Sequence, residues 1–168
     1  LSNNKANLLG NCHVNSGKVE GNSNVGGLVG NNMGTYDSKT GFSIYSSIDK
    51  CTATVTVTGL GNTTNNFATG GLVGDNSGYI TECAANGTVS GHNMVGGLIG
   101  DSSGDIYDSY ATGNVSGEGT VGGFAGSSSG KIKNCYSLGD VSGEERTGGF
   151  AGSLSAAEYV ASAGQITV

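Results

Sequence analysis

The sequence predicts an all-β fold: a β-solenoid of the parallel β-helix kind, with about five 26-residue rungs. Three observations predict it. A glycine-flanked apolar pair recurs as GGLVG at 26–30 and 70–74, GGLIG at 96–100, and GGFAG at 122–126 and 148–152. The first glycines of these segments, Gly26, Gly70, Gly96, Gly122 and Gly148, are 44, 26, 26 and 26 residues apart. Other columns keep the same step, among them Ile80/Ile106/Ile132, Gly87/Gly113/Gly139, Val89/Val115/Val141 and Ser90/Ser116/Ser142. A period of this length without helical patterning marks units that stack and bury a shared core. A β-sandwich or prism of stacked units is the alternative.

Within a unit, the first element is the segment around Ile80, which stands three residues before Cys83. On a straight strand the two would face opposite ways, so a bend at Thr81-Glu82, Tyr107-Asp108 or Lys133-Asn134 is expected. Next comes a strand of period two. In Cys51-Thr-Ala-Thr-Val-Thr-Val-Thr58, Cys51, Ala53, Val55 and Val57 share one face and four threonines the other. The pattern repeats as Cys83/Ala85/Gly87/Val89, Ser109/Ala111/Gly113/Val115 and Cys135/Ser137/Gly139/Val141, a half-buried strand with a tight interior. The last element is the GGLVG segment, closed by the turn sequences DNSG, DSSG or SSSG. Its apolar residues occupy both parities, Leu98 on one and Val95 and Ile99 on the other. A strand with one wet face does not look like that. An outer cover is expected, from Tyr79, Tyr107 or an inserted segment, unless the rungs form two layers.

The first gap exceeds the period by 18 residues, about 12 near 31–47 and about six near 59–68. The repeat domain is thus read as 1–152 with these two insertions. Residues 153–168 break the pattern and read as a cap or tail, with a short helix or capping segment at 155–164.

Composition bounds the function. The chain has 168 residues with 33 Gly, no Pro, no Trp and 12% charged residues, enough for one domain. No Gly-X-Y period exists, which excludes collagen, and Val, Ile and Thr throughout exclude a disordered linker. The net charge of −6 makes nucleic acid and anionic membranes poor partners. No apolar run reaches membrane-spanning length, so no membrane insertion is expected. The chain begins at Leu1 without a leader pattern and reads as a fragment or processed form.

The segments GGLVGDNSGYITECAANGTVSG, GGLIGDSSGDIYDSYATGNVSG and GGFAGSSSGKIKNCYSLGDVSG closely resemble the GLUG motif, over 70–152 well and 8–34 in part. GLUG-like repeats occur in bacterial surface and secreted proteins, including adhesin-like proteins, and accompany immunoglobulin A-cleaving metallopeptidases. The resemblance implies an extracellular or cell-surface repeat region. It implies no catalysis and supplies no site residues. Residues 31–69 and 153–168 depart from the motif.

His13 and His92 are not followed by Glu-x-x-His, so the zinc-peptidase motif is absent, and two unrelated histidines do not suggest a triad. Cys12, Cys51, Cys83 and Cys135 fall in one column with Ser109. Cys83 and Cys135 would lie two rungs apart, too far for a bond; Cys12–Cys51 and Cys51–Cys83 are adjacent. Free buried thiols acting as small apolar groups are expected. Asp75 and Asp101 would stack on neighbouring rungs as a weak calcium site, although calcium β-rolls use a nonapeptide period. No other cofactor is expected. Asp101, Asp105, Asp108, Glu118, Glu144 and Glu145 are candidates for paired-carboxylate glycoside chemistry, but most occupy repeat-equivalent turns and form no unique cluster. The insertion NNMGTYDSKTGFSIYSS at 31–47 carries Tyr36, Phe42 and Tyr45 and is the candidate ligand-binding loop, its plain counterpart being a hairpin that covers the outer face of the GGLVG strands. An outward ladder of Thr54/Asn86/Thr112 and Thr56/Thr88/Asn114 is a second place for a glycan.

The expectation is a non-catalytic structural or adhesive module of a bacterial surface or secreted protein. Its partners would be a host or matrix glycan or protein, or neighbouring domains of its parent chain. An accessory, substrate-positioning domain of a secreted peptidase is the alternative, and a polysaccharide-active enzyme a third reading.

Overall fold

The computed structural model describes residues 8–39, 41–62 and 67–168, with Phe42 given by its backbone alone. Among these residues every regular element is a strand, so no helix is long and apolar enough to cross a membrane. The strands wind as a parallel β-helix-like solenoid. One complete rung runs through Tyr79–Thr81, Ala84–Ala85, Val89–Ser90, Met94–Gly96 and Ile99–Ser102, and each of these pairs in parallel with its counterparts in the rungs before and after. The first, second and fifth strands of the rungs join into one bent 13-stranded sheet. The third strands form a six-stranded sheet and the fourth a five-stranded one.

Register is the physical content of the repeat. Val89 pairs with Val115, and Val115 with Val141, so like side chains touch like. Ile48, Ile80, Ile106 and Ile132 stack in the same way. Leu72, Leu98 and Phe124 are fully buried, and Phe124 stacks on Phe150 with centroids 4.8 Å apart. Each buried Val or Leu contributes roughly 1.5–3 kcal/mol over its exposed form. A single rung leaves its apolar edges bare, and its neighbours cover them. Partner spacing is 44 residues at Asn32–Asn76, 32 at Asp49–Thr81 and 26 at Asn76–Ser102. The step from 44 to 32 falls between Asn32 and Ser47, and the step from 32 to 26 falls between Gly59 and Ala68. Residues 63–66 of the second insertion lie outside the described residues. The first insertion contains the one antiparallel pairing among the described residues, the hairpin Thr35–Asp37 with Phe42–Ile44.

The bend expected after Ile80 is a single residue in the left-handed region. Asn11, Lys50, Glu82, Asp108, Asn134 and Tyr159 have φ between 49° and 55°, one per rung, each immediately before the Cys/Ser/Val column. This turn lets Ile80 and Cys83, three residues apart, both point inward at 0% exposure. L-residues other than Asn and Asp pay about 1–2 kcal/mol there, so the corner is held by the rung-to-rung hydrogen bonds on both sides. One of them is Glu82 N–H to the Tyr107 carbonyl, 3.2 Å.

The GGLVG parity problem has a different answer from the expected outer cover. Gly97 and Leu98 form a corner between two strands rather than the middle of one. At each such corner two successive amides converge on one carbonyl of the next rung: Leu98 and Ile99 N–H both donate to the Phe124 carbonyl, at 2.8 and 3.1 Å. The kink turns Val95, Leu98 and Ile99 all inward, each at 0% exposure. Gly96 and Gly97 are required because a Cβ on either would run into backbone, Gly96 into the Ile99 carbonyl and Gly97 into the Gly123 carbonyl.

For the C-terminal segment it is the helix reading that is corrected. No helix forms in 155–164; Ala151–Ser162 is a single strand alongside Ala125–Ser137, followed by Ile166–Thr167 alongside Val141–Ser142. The register slips between Ser128 and Lys131, so the partner spacing falls to 25 at Gln165–Asp140. Tyr159 takes the corner position and Val160 the thiol column.

Candidate functional site

Two of the columns with buried polar side chains hold the corners and turns, and both are structural. In the first, the four cysteines are free thiols. Cys51 N–H donates to the Cys83 sulfur at 3.4 Å, and that thiol donates to its own rung's Thr81 carbonyl at 3.1 Å. Ser109 does the same with a hydroxyl, accepting from Cys83 N–H at 3.0 Å and donating to the Tyr107 carbonyl at 2.7 Å. These side chains therefore satisfy backbone groups stranded by the left-handed corner, a role beyond small apolar filling. Burial pushes the Cys83 thiol up to about 12 and Cys135 to about 11, and raises Cys51 as well, so these sulfurs are poor nucleophiles. In the second column Asn32 donates to Asn76 Oδ1 at 2.7 Å, and Asn76 donates to Ser102 Oγ at 3.0 Å. Asn76 also closes its own turn through Gly78, as Ser102 does through Gly104.

The candidate metal pair, Asp75 and Asp101, does sit on adjacent rungs. Asp75 Oδ2 accepts from Asn24 Nδ2 at 3.3 Å, and Asp101 Oδ1 accepts from Ser102 N–H at 3.0 Å. Burial, and then the neighbouring Asp101 charge, raise the Asp75 carboxyl above its usual range. Among the described residues no three His, Cys, Asp or Glu side chains gather as metal ligands. Two carboxylates fall well short of the six to eight oxygens calcium takes.

The carboxylates considered for glycoside chemistry are dispersed. Asp105 is held by the Lys131 N–H and the Tyr107 hydroxyl, both 3.0 Å, and Asp108 accepts from Asn134 at 2.9 Å. The bond to Asp105 raises the Tyr107 phenol and keeps it a donor. Glu118 meets His92 Nδ1 at 2.9 Å, beside Glu144 and Glu145 on a different edge. His13 bonds Thr52 at 2.8 Å, so neither histidine addresses a Ser or Cys nucleophile.

Of the three aromatic residues singled out in the insertion, Tyr36 is 66% exposed and Tyr45 49%. The Phe42 side chain lies outside the described residues. The hairpin thus does not bury these tyrosines as a lid. Tyr36 and Tyr45 are not brought to one point: Tyr45 instead meets Tyr79 from the next rung, edge to face, with centroids 5.6 Å apart and planes at 69°. The two rings line a surface hollow of about 210 Å³ together with Ser77, Gly78, Ser103, Gly104 and Asp105. The sequence suggests Tyr79 as a cover residue. The signal for its pairing was present: Tyr79 falls in register with Ser47, two residues beyond Tyr45. A second hollow of similar size lies on the polar ladder face, lined by Thr88, Asn114, Ser116, Asp140, Ser142 and Gln165.

Rungs of one period, in-register columns and side-chain ladders that satisfy the corners define the class: a repeat solenoid whose motif encodes a rung. The GLUG-motif model matches residues 21–58, 91–116 and 117–142, together more than half of the chain, and the last two segments each span one rung. The chain belongs to the GLUG-motif family. No curated protein and no solved structure matches it.

Proposed function

We propose that this chain is a non-catalytic structural and adhesive module of a bacterial surface or secreted protein, which contacts a host or matrix glycan or protein through the tyrosine-lined face beside its first insertion. The observation that carries the reading is the Tyr45–Tyr79 pair. Aromatic rings left half-exposed at a hollow, where regular rungs offer only a short turn, supply apolar area with little ordering cost and are typical of recognition surfaces. The regular rungs support it as a rigid platform, since their polar groups are spent on holding the corners. The dispersed carboxylates and the raised thiols favour binding over chemistry.

The test is an array of host and matrix glycans and proteins, probed with the native chain and with a Tyr36→Ala/Tyr45→Ala/Tyr79→Ala variant. The expected result is at least one ligand whose binding falls tenfold or more in the variant. Ligands bound equally by both forms, or no binding to any, would overturn the reading.

A further inference from the structure

We propose that the hollow between Tyr45, Tyr79 and Asp105 binds an organic ammonium group; this rests on the reading of that face as the contact surface. The two rings meet at 69°, so together they form a corner and not one continuous flat platform. A corner of two aromatic walls suits a compact cation, which is drawn to the negative ring faces. A carboxylate that lines the same hollow is held still: Asp105 Oδ1 accepts the Lys131 N–H and Oδ2 the Tyr107 hydroxyl. Among the described residues Asp105 is the one charged side chain lining the hollow. The nearest ammonium in sequence, Lys131 Nζ, is turned to Glu158 at 3.3 Å, and among the described residues no salt bridge reaches Asp105. The serines and glycines of the lining bring in no bulk. The net charge of −6 also favours a cation over an anion.

A primary ammonium on a protein lysine and a quaternary ammonium on a choline headgroup share this chemistry. The experiment titrates the native chain separately with choline and with an Nα-acetyl-lysine amide, following the backbone amide shifts of Tyr79 and Asp105 by NMR. A third titration uses the neutral isostere of choline in which carbon replaces nitrogen. Saturable shifts with at least one cation are expected, with the neutral isostere at least about fivefold weaker, since ring–cation attraction is lost. Whichever cation binds more tightly identifies the source. Tyr79→Leu should weaken cation binding at least about threefold. Asp105→Asn, which keeps an acceptor for the Lys131 N–H, should weaken the cation and leave the neutral isostere unchanged.

No saturable shift with either cation, or equal binding of the neutral isostere, would overturn the proposal. An array ligand lost in the tyrosine variant, with no ammonium binding, would leave the adhesive face standing and remove only the cation. Ammonium binding with tyrosine-insensitive array ligands would do the reverse.

Discussion

Replacing Gly97 with alanine should be among the most damaging single-methyl changes in the chain. The added Cβ would sit inside the van der Waals shell of the Gly123 carbonyl oxygen, 2.9 Å from Ala111 Cβ and 3.1 Å from the Gly123 carbonyl carbon. Carbon atoms in contact prefer about 3.5–4.0 Å, so adjacent rungs would have to part at this corner. Three hydrogen bonds cross it: Gly97 N–H to Gly122 O at 3.3 Å, and Leu98 and Ile99 N–H to Phe124 O at 2.8 and 3.1 Å. At about 1 kcal/mol each, their loss costs about 3 kcal/mol. For a chain of this size that is a fall in Tm of roughly 6–12 °C. Gly10→Ala is the matched control, because among the described residues its Cβ would meet nothing closer than the Asp49 carbonyl at 3.8 Å and Leu8 at 3.9 Å. Restricting the unfolded chain there should leave stability unchanged or raise it by up to about 1 kcal/mol. Thermal and urea unfolding of both variants would measure the difference. Equal stability of Gly97→Ala and Gly10→Ala would refute the reasoning that the paired glycines exist to let rungs close.

Other expectations concern the corners and columns. Ser109→Cys should cost little, because a thiol already fills this role at Cys83, whereas Ser109→Ala strands the Cys83 N–H and should lose about 1–3 kcal/mol by urea unfolding. Asn134→Val places a β-branched residue at φ 55° and should lose at least about 1–2 kcal/mol in the same assay, while Asn134→Gly should not. Asp75 titrates above its unfolded value, so its folded form is favoured when protonated. Stability from this group is present below the unfolded carboxyl range and lost as pH rises through the folded value. Asp75→Asn, which keeps an acceptor for Asn24, should therefore raise Tm at pH 7, and the gain should shrink on acidification toward pH 4. A thiol reagent at mild alkaline pH should reach at most Cys12 in the native chain, and all four cysteines once the chain is unfolded in urea.

Much of the fold was legible because its information is one-dimensional. The Val89/Val115/Val141 spacing states the register outright, and Ile80 with Cys83 forces a bend at a place the sequence marks with polar residues. The GGLVG corner was not legible, because parity arguments assume a straight strand and two amides sharing one carbonyl leave no trace in composition. The last rung was hidden by its one-residue slip between Ser128 and Lys131, which moves Val160 and Ile166 out of phase with Cys135 and Val141. The thiol column looks apolar from its cysteines, although Ser109 within it is a sign that the position asks for a hydrogen-bonding group. Within the candidate site, Tyr45 stood out as an aromatic residue in an insertion. Tyr79 and Asp105 stood out in other roles, as a cover residue and a turn carboxylate, and the folded register brings them to this hollow.

Scalar couplings transmitted through hydrogen bonds test the stacked register most directly. They should run from Val89 N to the Asn114 carbonyl carbon and from Val115 N to the Asp140 carbonyl carbon, both bonds being 2.9 and 2.9 Å between N and O. Their detection, residue by residue along this column, is the predicted result. Couplings from Val89 or Val115 to any carbonyl outside the next rung would contradict the solenoid.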